Sequence, residues 1–99
     1  MDKQFMYLWV RQDLSVPQQI VQTAHAAAAI GQKYHADTHA VLMSAEDEHD
    51  IKNISVFLDL NKISHEVFFE PDLPGFTAIA TEPLVGARRK PLRKFSLMR

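Results

Sequence analysis

Apolar and polar positions along this chain follow two rhythms, and the switches between them predict its elements. Phe5 to Arg11 is aromatic and nearly all apolar, as a strand buried on both faces and central in its sheet would be. The stretch from Ser15 to Tyr34 reads as a helix. Ser15 stands at the N-cap with Gln18 at capping-box spacing. Pro17 is tolerated because first-turn N–H groups have no intrahelical acceptor, and alanine, the best helix former, fills the middle. At about 100° per residue, Ile20, Ala24, Ala27 and Gly31 share a side with little bulk, which predicts that this side meets the sheet closely. Gln18, Gln22, His25 and Gln32 share roughly the opposite side, polar yet uncharged, which predicts a cleft lining. Gly31, Tyr34 and His35 mark the helix end.

Thr38 to Ser44 is the second expected strand. Ser44 with Asp47 repeats the cap pattern, and the acids at Glu46, Asp47, Glu48 and Asp50 suit the positive end of a helix dipole. Ile51, Ile54 and Leu58 form the buried stripe of that second helix, which Asn61 can end. Ser64 to Glu70 is a third strand, followed by a loop containing Pro71, Pro74 and Gly75. Phe76 to Thr81 is a fourth strand, with Thr77, Ile79 and Thr81 expected on one face. The short connection predicts antiparallel pairing of strands three and four. The tail from Gly86 is basic and broken by Pro91. Its apolar Phe95, Leu97 and Met98 are expected to fold back as a short strand or a cover over the core. The order β-α-β-α-β-β plus a basic tail predicts an α/β fold, a mixed sheet with helices packed on it and right-handed crossovers.

Ninety-nine residues support a single domain, residues 1–99. The chain has no cysteine, so disulfide and thiolate chemistry are excluded. No apolar run approaches the roughly 20 residues of a membrane span, and the N-terminus lacks a secretory pattern, so no membrane association is expected. The net charge of −1 hides a polarity: Arg88, Arg89, Lys90, Arg93, Lys94 and Arg99 hold six of the eleven basic residues, uninterrupted by acids. That segment is either a solvated face or a site for a polyanion such as an RNA backbone.

No phosphate-binding glycine loop, nucleophile elbow or zinc spacing is present. His35 and His39 straddle a helix end without a third ligand, so no metal site is expected. His25 has two readings. It is a histidine satisfied between helix and loop, or it combines with Glu70, Asp72 and threonine hydroxyls to position a water against a carbonyl carbon. Arg11 and Asp13 either pair with each other or shape a pocket rim.

Four segments carry a family likeness. Leu8-Trp9-Val10-Arg11-Gln12-Asp13-Leu14 followed by Gln22-Thr23-Ala24-His25-Ala26 resembles the opening of the type-2 peptidyl-tRNA hydrolases, hydrophobic-Val-Arg-x-Asp-Leu and then Gln-x-x-His-Ala. Thr77-Ala78-Ile79-Ala80-Thr81-Glu82-Pro83 is similar to that family's closing Thr-x-x-Ala-Ile-Gly-Pro. The tail Leu92-Arg93-Lys94-Phe95-Ser96-Leu97-Met98 resembles the ending of the divergent peptidyl-tRNA hydrolase domain-containing branch. The resemblance implies a cytoplasmic hydrolase that needs neither metal nor cofactor, acting in translation on the ester of peptidyl-tRNA or a related acylated RNA, and it allows a homodimer. It implies His25, Glu70 and Thr77 as catalytic, Arg11, Asp13, Gln18 and Gln22 as substrate-binding, and Arg88, Arg89, Lys90, Arg93 and Lys94 as tRNA-binding. Three departures stand against it. Val16-Pro17-Gln18 replaces a lysine-bearing segment, Glu70-Pro71-Asp72-Leu73-Pro74 replaces Asp-Ala-Gly-Arg-Thr, and Glu82 replaces the closing glycine. These departures define an alternative, a catalytically inactive RNA- or protein-binding module of the same fold.

Overall fold

The computed structural model describes residues 3–35, 37–73 and 75–95. Its order is β1 (Phe5–Arg11), α1 (Val16–Gly31), β2 (His39–Ala45), α2 (Glu48–Leu60), β3 (His65–Phe69), β4 (Phe76–Thr81) and a 3-10 helix (Gly86–Lys94). The four strands form one mixed sheet ordered β2-β1-β4-β3. β1 is central and parallel to β2, and β3 and β4 pair antiparallel, as expected; β1 also pairs antiparallel with β4.

Both helix starts follow their caps. The Ser15 hydroxyl accepts from the Gln18 N–H, while Gln18 Oε1 accepts from the Ser15 N–H. α2 is capped by Asp47, whose carboxylate accepts from the Asp50 N–H. Ser44 is therefore not the cap: it lies inside β2, which runs on to Ala45. Asn61 ends α2, its amide donating to the Phe57 carbonyl at 2.8 Å.

Helices cover both sheet faces, which explains the unbroken apolar character of β1. On one face Tyr7, Trp9, Met43 and Ile79 pack with Ile51, Ile54 and Leu58 of α2, and with Leu84 and Leu92. Fully burying a side chain such as Ile51 or Leu58 contributes about 1.5–3 kcal/mol. On the other face Leu8, Val10, Ala78 and Ala80 meet Ala26 and Ile30 of α1. The small residues there keep the layer thin, so α1 does lie close to the sheet.

It does so on a different side from the one expected. Gln19, Gln22, Ala26 and Ile30 are buried, whereas Ile20 is 65 % exposed and Ala24 and Gly31 face outward. The helix is turned by roughly a third of a revolution relative to the small-residue stripe. α1 contains no Asp, Glu, Lys or Arg, so nearly any of its faces can be buried. The choice falls to the two glutamines, which find partners inside.

A second correction concerns β4. The register pairs Phe68 with Ala78 but Phe69 with Phe76, so Thr77 is an extra residue, a β-bulge. A bulge re-aims the side chain it carries. Thr77 turns to the α1 face with Ala78 instead of sharing the opposite face with Ile79 and Thr81. Thr81 mends the neighbouring ladder, its hydroxyl accepting the Tyr7 N–H at 3.0 Å. Pairing resumes where Phe5 and Leu84 exchange both backbone bonds, at 2.9 and 2.8 Å.

The tail forms a 3-10 helix containing Pro91, not a strand. Phe95 does cover the core, edge-on to Trp9 and Phe57. The expectation for Leu97 and Met98 lies outside the described residues.

Candidate functional site

The ends of β1 and β3, the start of β4 and the starts of both helices meet at one end of the sheet. Arg11 closes β1. Its guanidinium grips Asp13 through two 2.8 Å bonds and donates more weakly to the Phe76 carbonyl at 3.4 Å. The hydrogen bond from Arg11 holds the Asp13 carboxyl below the usual carboxylate range, and the same bond raises Arg11. Arg11 and Asp13 thus pair with each other while bracing the first residue of β4. From the other side Glu48, in the first turn of α2, accepts the Phe76 N–H at 2.7 Å. Gly75 makes this clamp feasible: its φ is +82°, and an added Cβ would lie 1.4 Å from the Glu48 carboxylate. Glu48 was legible only as one of several helix-start acids, because its partner is 28 residues away.

One residue further, the bulged Thr77 hydroxyl donates to Gln22 Oε1 at 2.7 Å and, at 3.3 Å, faces the Phe68 carbonyl. Both Thr77 and Gln22 are buried. The donation occupies the carbonyl end of the Gln22 amide and so fixes which end of it, the NH₂ group, remains available. A helical turn earlier, Gln19 donates to the Leu14 carbonyl at 2.9 Å, while its own Oε1 is buried with no partner among the described residues.

His25 lies on the flank of α1 that faces β3. Its ring stacks flat on Phe68, with centroids 4.7 Å apart and planes 8° from parallel. The imidazole is exposed, and among the described residues no side chain is hydrogen-bonded to it. Phe68 is a site residue that sequence reasoning read only as a strand position. Glu70 follows two residues later but serves its own loop, its carboxylate accepting from the Asp72 N–H at 3.3 Å. His25, Gln22 and Thr77 therefore meet around Phe68, and no hydrogen bond joins His25 to Glu70. Gln18 is committed to the capping box. The opposite flank of α1 borders a cavity of about 210 Å³ lined by Val10, Val16, Gln19, Ile20, Thr23 and Leu42.

The basic segment lies on the other face of the sheet, because Leu92 and Phe95 pack with Trp9 beneath α2. Arg88 is bidentate to Glu82 at 3.0 and 3.2 Å and also donates to the Lys62 carbonyl. Burial pushes the Glu82 carboxyl up, but hydrogen bonds from Arg88 and the Ser64 N–H outweigh it and leave the group below its ordinary range. Arg89 donates to the Tyr7 hydroxyl at 2.8 Å and sits 3.6 Å over the Phe5 ring. Lys94 lies 3.9 Å over Phe57. No group of three or more His, Asp or Glu side chains suited to a metal occurs among the described residues. No helix among them is long and apolar enough to cross a membrane.

Fold and geometry together define a small α/β domain, a four-stranded mixed sheet between helices. A solved structure of a protein of unknown function from Agrobacterium tumefaciens shares this fold, with a TM-score of 0.76 at 14 % identity over 100 % of both chains. No protein-family model matches the chain, and no curated protein matches it either.

Proposed function

We propose that this chain hydrolyses the ester of a peptidyl-tRNA or a related acylated RNA on the flank of α1 that carries His25. One observation supports the reading above all: Gln22 and Thr77, from two separate segments that resemble the type-2 peptidyl-tRNA hydrolases, are 55 residues apart and hydrogen-bonded in the interior. The first segment joins them through Arg11 and the Phe76 carbonyl. Ester hydrolysis needs a positioned water, a group to take its proton, and a donor for the developing oxyanion. The exposed imidazole of His25, held flat on Phe68, takes the proton. The Gln22 amide offers its NH₂ end to the oxyanion, kept in that orientation by the Thr77 hydroxyl. Thr77 is thus a positioning residue, and Glu70 supplies a carboxylate near the end of β3.

The test is multiple turnover on purified peptidyl-tRNA. Replacing a general base costs about 10²–10⁴-fold and an oxyanion donor about 10²–10³-fold in rate, so His25→Ala and Gln22→Leu are expected to lose activity on those scales. Wild-type turnover no faster than the uncatalysed blank would overturn the proposal.

A second reading, a binding module without chemistry, is favoured by the commitment of Glu70 to its own loop. Salt-dependent RNA binding without hydrolysis identifies that case. The cytoplasmic setting and the homodimer belong to the same resemblance, and light scattering on the purified chain tests the latter.

A further inference from the structure

A 3-10 helix repeats every three residues, so side chains three apart eclipse one another. That period sorts the basic segment into rows. Arg89, Leu92 and Phe95 face the sheet: Leu92 is buried, Phe95 packs on Trp9, and the Arg89 guanidinium lies on Phe5. Arg88 and Lys94 form a flank row, neutralised by Glu82 and laid over Phe57 respectively. Lys90 and Arg93 form the third row. Both are exposed, and among the described residues neither has an ion pair, hydrogen bond or ring contact. With a rise of about 2.0 Å per residue, their backbone positions lie about 6 Å apart along the helix axis. No acidic residue occurs from Gly86 to the end of the chain.

Beside this row the Arg89 guanidinium covers Phe5, and the Phe5 ring in turn meets the ring of His39 at 5.6 Å. His39 is exposed. Two exposed cations on the segment whose Arg89 covers Phe5, together with the exposed ring of His39, match the way unpaired nucleotides are held, with phosphates on cations and bases stacked on rings.

We propose that Lys90 and Arg93 are a phosphate rail, and His39 a stacking surface, for a single strand of RNA on the sheet face opposite His25. The proposal rests on the RNA-binding half of the functional reading and not on hydrolysis. It narrows the five tail cations expected to touch RNA to two, because Arg88, Arg89 and Lys94 are occupied within the protein. It also sets the bound strand apart from the His25 flank, so an RNA engaged at both places must pass around an edge of the sheet.

The experiment is fluorescence anisotropy with a labelled oligouridine 12-mer, which carries no ester, over a series of KCl concentrations. For a single strand, log Kobs against log [salt] steepens by about 0.7 for each phosphate contact. Lys90→Ala with Arg93→Ala is therefore expected to flatten the slope by about 1.4. The charge-matched pair Arg88→Ala with Lys94→Ala leaves it unchanged, with folding of both variants checked by circular dichroism. His39→Ala is expected to weaken binding about tenfold at every salt concentration without changing the slope, because stacking is not ionic. An equal flattening by the two charge-matched pairs would refute the rail, and unchanged affinity of His39→Ala would refute the stacking. Binding to phosphatidylserine vesicles without binding to the oligonucleotide overturns the RNA assignment. If the slopes behave as expected while peptidyl-tRNA is not hydrolysed, this inference stands and the hydrolase reading falls.

Discussion

Replacing Thr77 with valine removes one hydroxyl at nearly constant shape and isolates the bond that joins α1 to β4. Thr77 is wholly buried and Gln22 is 3 % exposed, so water cannot stand in for the lost donor. The variant leaves Gln22 Oε1 without its 2.7 Å partner. Leaving a buried acceptor unsatisfied costs about 1–3 kcal/mol, and about 2 kcal/mol is expected here. In a domain of this size each kcal/mol moves Tm by about 4–8 °C, so a drop of about 8–16 °C follows. Gln22→Leu is milder, about 1 kcal/mol, because the Thr77 hydroxyl retains the Phe68 carbonyl as an acceptor at 3.3 Å. The double variant removes both partners and strands neither, so its cost falls short of the sum by at least about 1 kcal/mol. Thermal and urea unfolding can be followed through Trp9, the one tryptophan of the chain, which is wholly buried and edge-on to Phe95. A Thr77→Val loss below about 0.5 kcal/mol, or strict additivity in the double variant, would show that the bond does not hold the two segments together.

Two glycines are expected to respond oppositely to alanine. Gly75→Ala meets a positive φ and the Glu48 carboxylate at once, so it should cost about 2 kcal/mol or more in the urea midpoint. Gly31→Ala, at the end of α1 with nothing within 4 Å of the new methyl, should stabilise by about 0.5–1 kcal/mol. The acid limb of stability follows from two carboxylates. Asp13 and Glu82 both have folded-state values below the ordinary range. Their contribution is complete above the unfolded values of about 4 and is lost as pH falls through the lower folded ones. The urea midpoint should therefore drop between about pH 5 and pH 2, and Glu82→Gln should shrink that drop. An unchanged acid limb would exclude the Arg88–Glu82 pair as a contributor.

Element order, the central position of β1 and the antiparallel β3–β4 pair were legible because apolar periodicity and short connections dictate them. The face that α1 buries was not. Ile20 and Ala24 look like core by hydropathy, but Gln19 and Gln22 take the inside because Leu14 and Thr77 offer them partners. Such pairings join distant residues and leave no local trace. The same holds for Glu48 on Phe76 and for Phe68 beneath His25. The basic tail was legible as charge, whereas its division into occupied and free cations needed the 3-10 period and the position of Glu82.

The surplus residue in β4 also decides what the chain tolerates. Without the bulge Thr77 would pair with Phe69, and strict alternation would turn it to the opposite face of the sheet, the side of Trp9, Ile51 and Leu58, with Gln22 left across the sheet. A length change of one residue there would thus mis-wire the protein more severely than most substitutions, while leaving its hydropathy profile almost untouched.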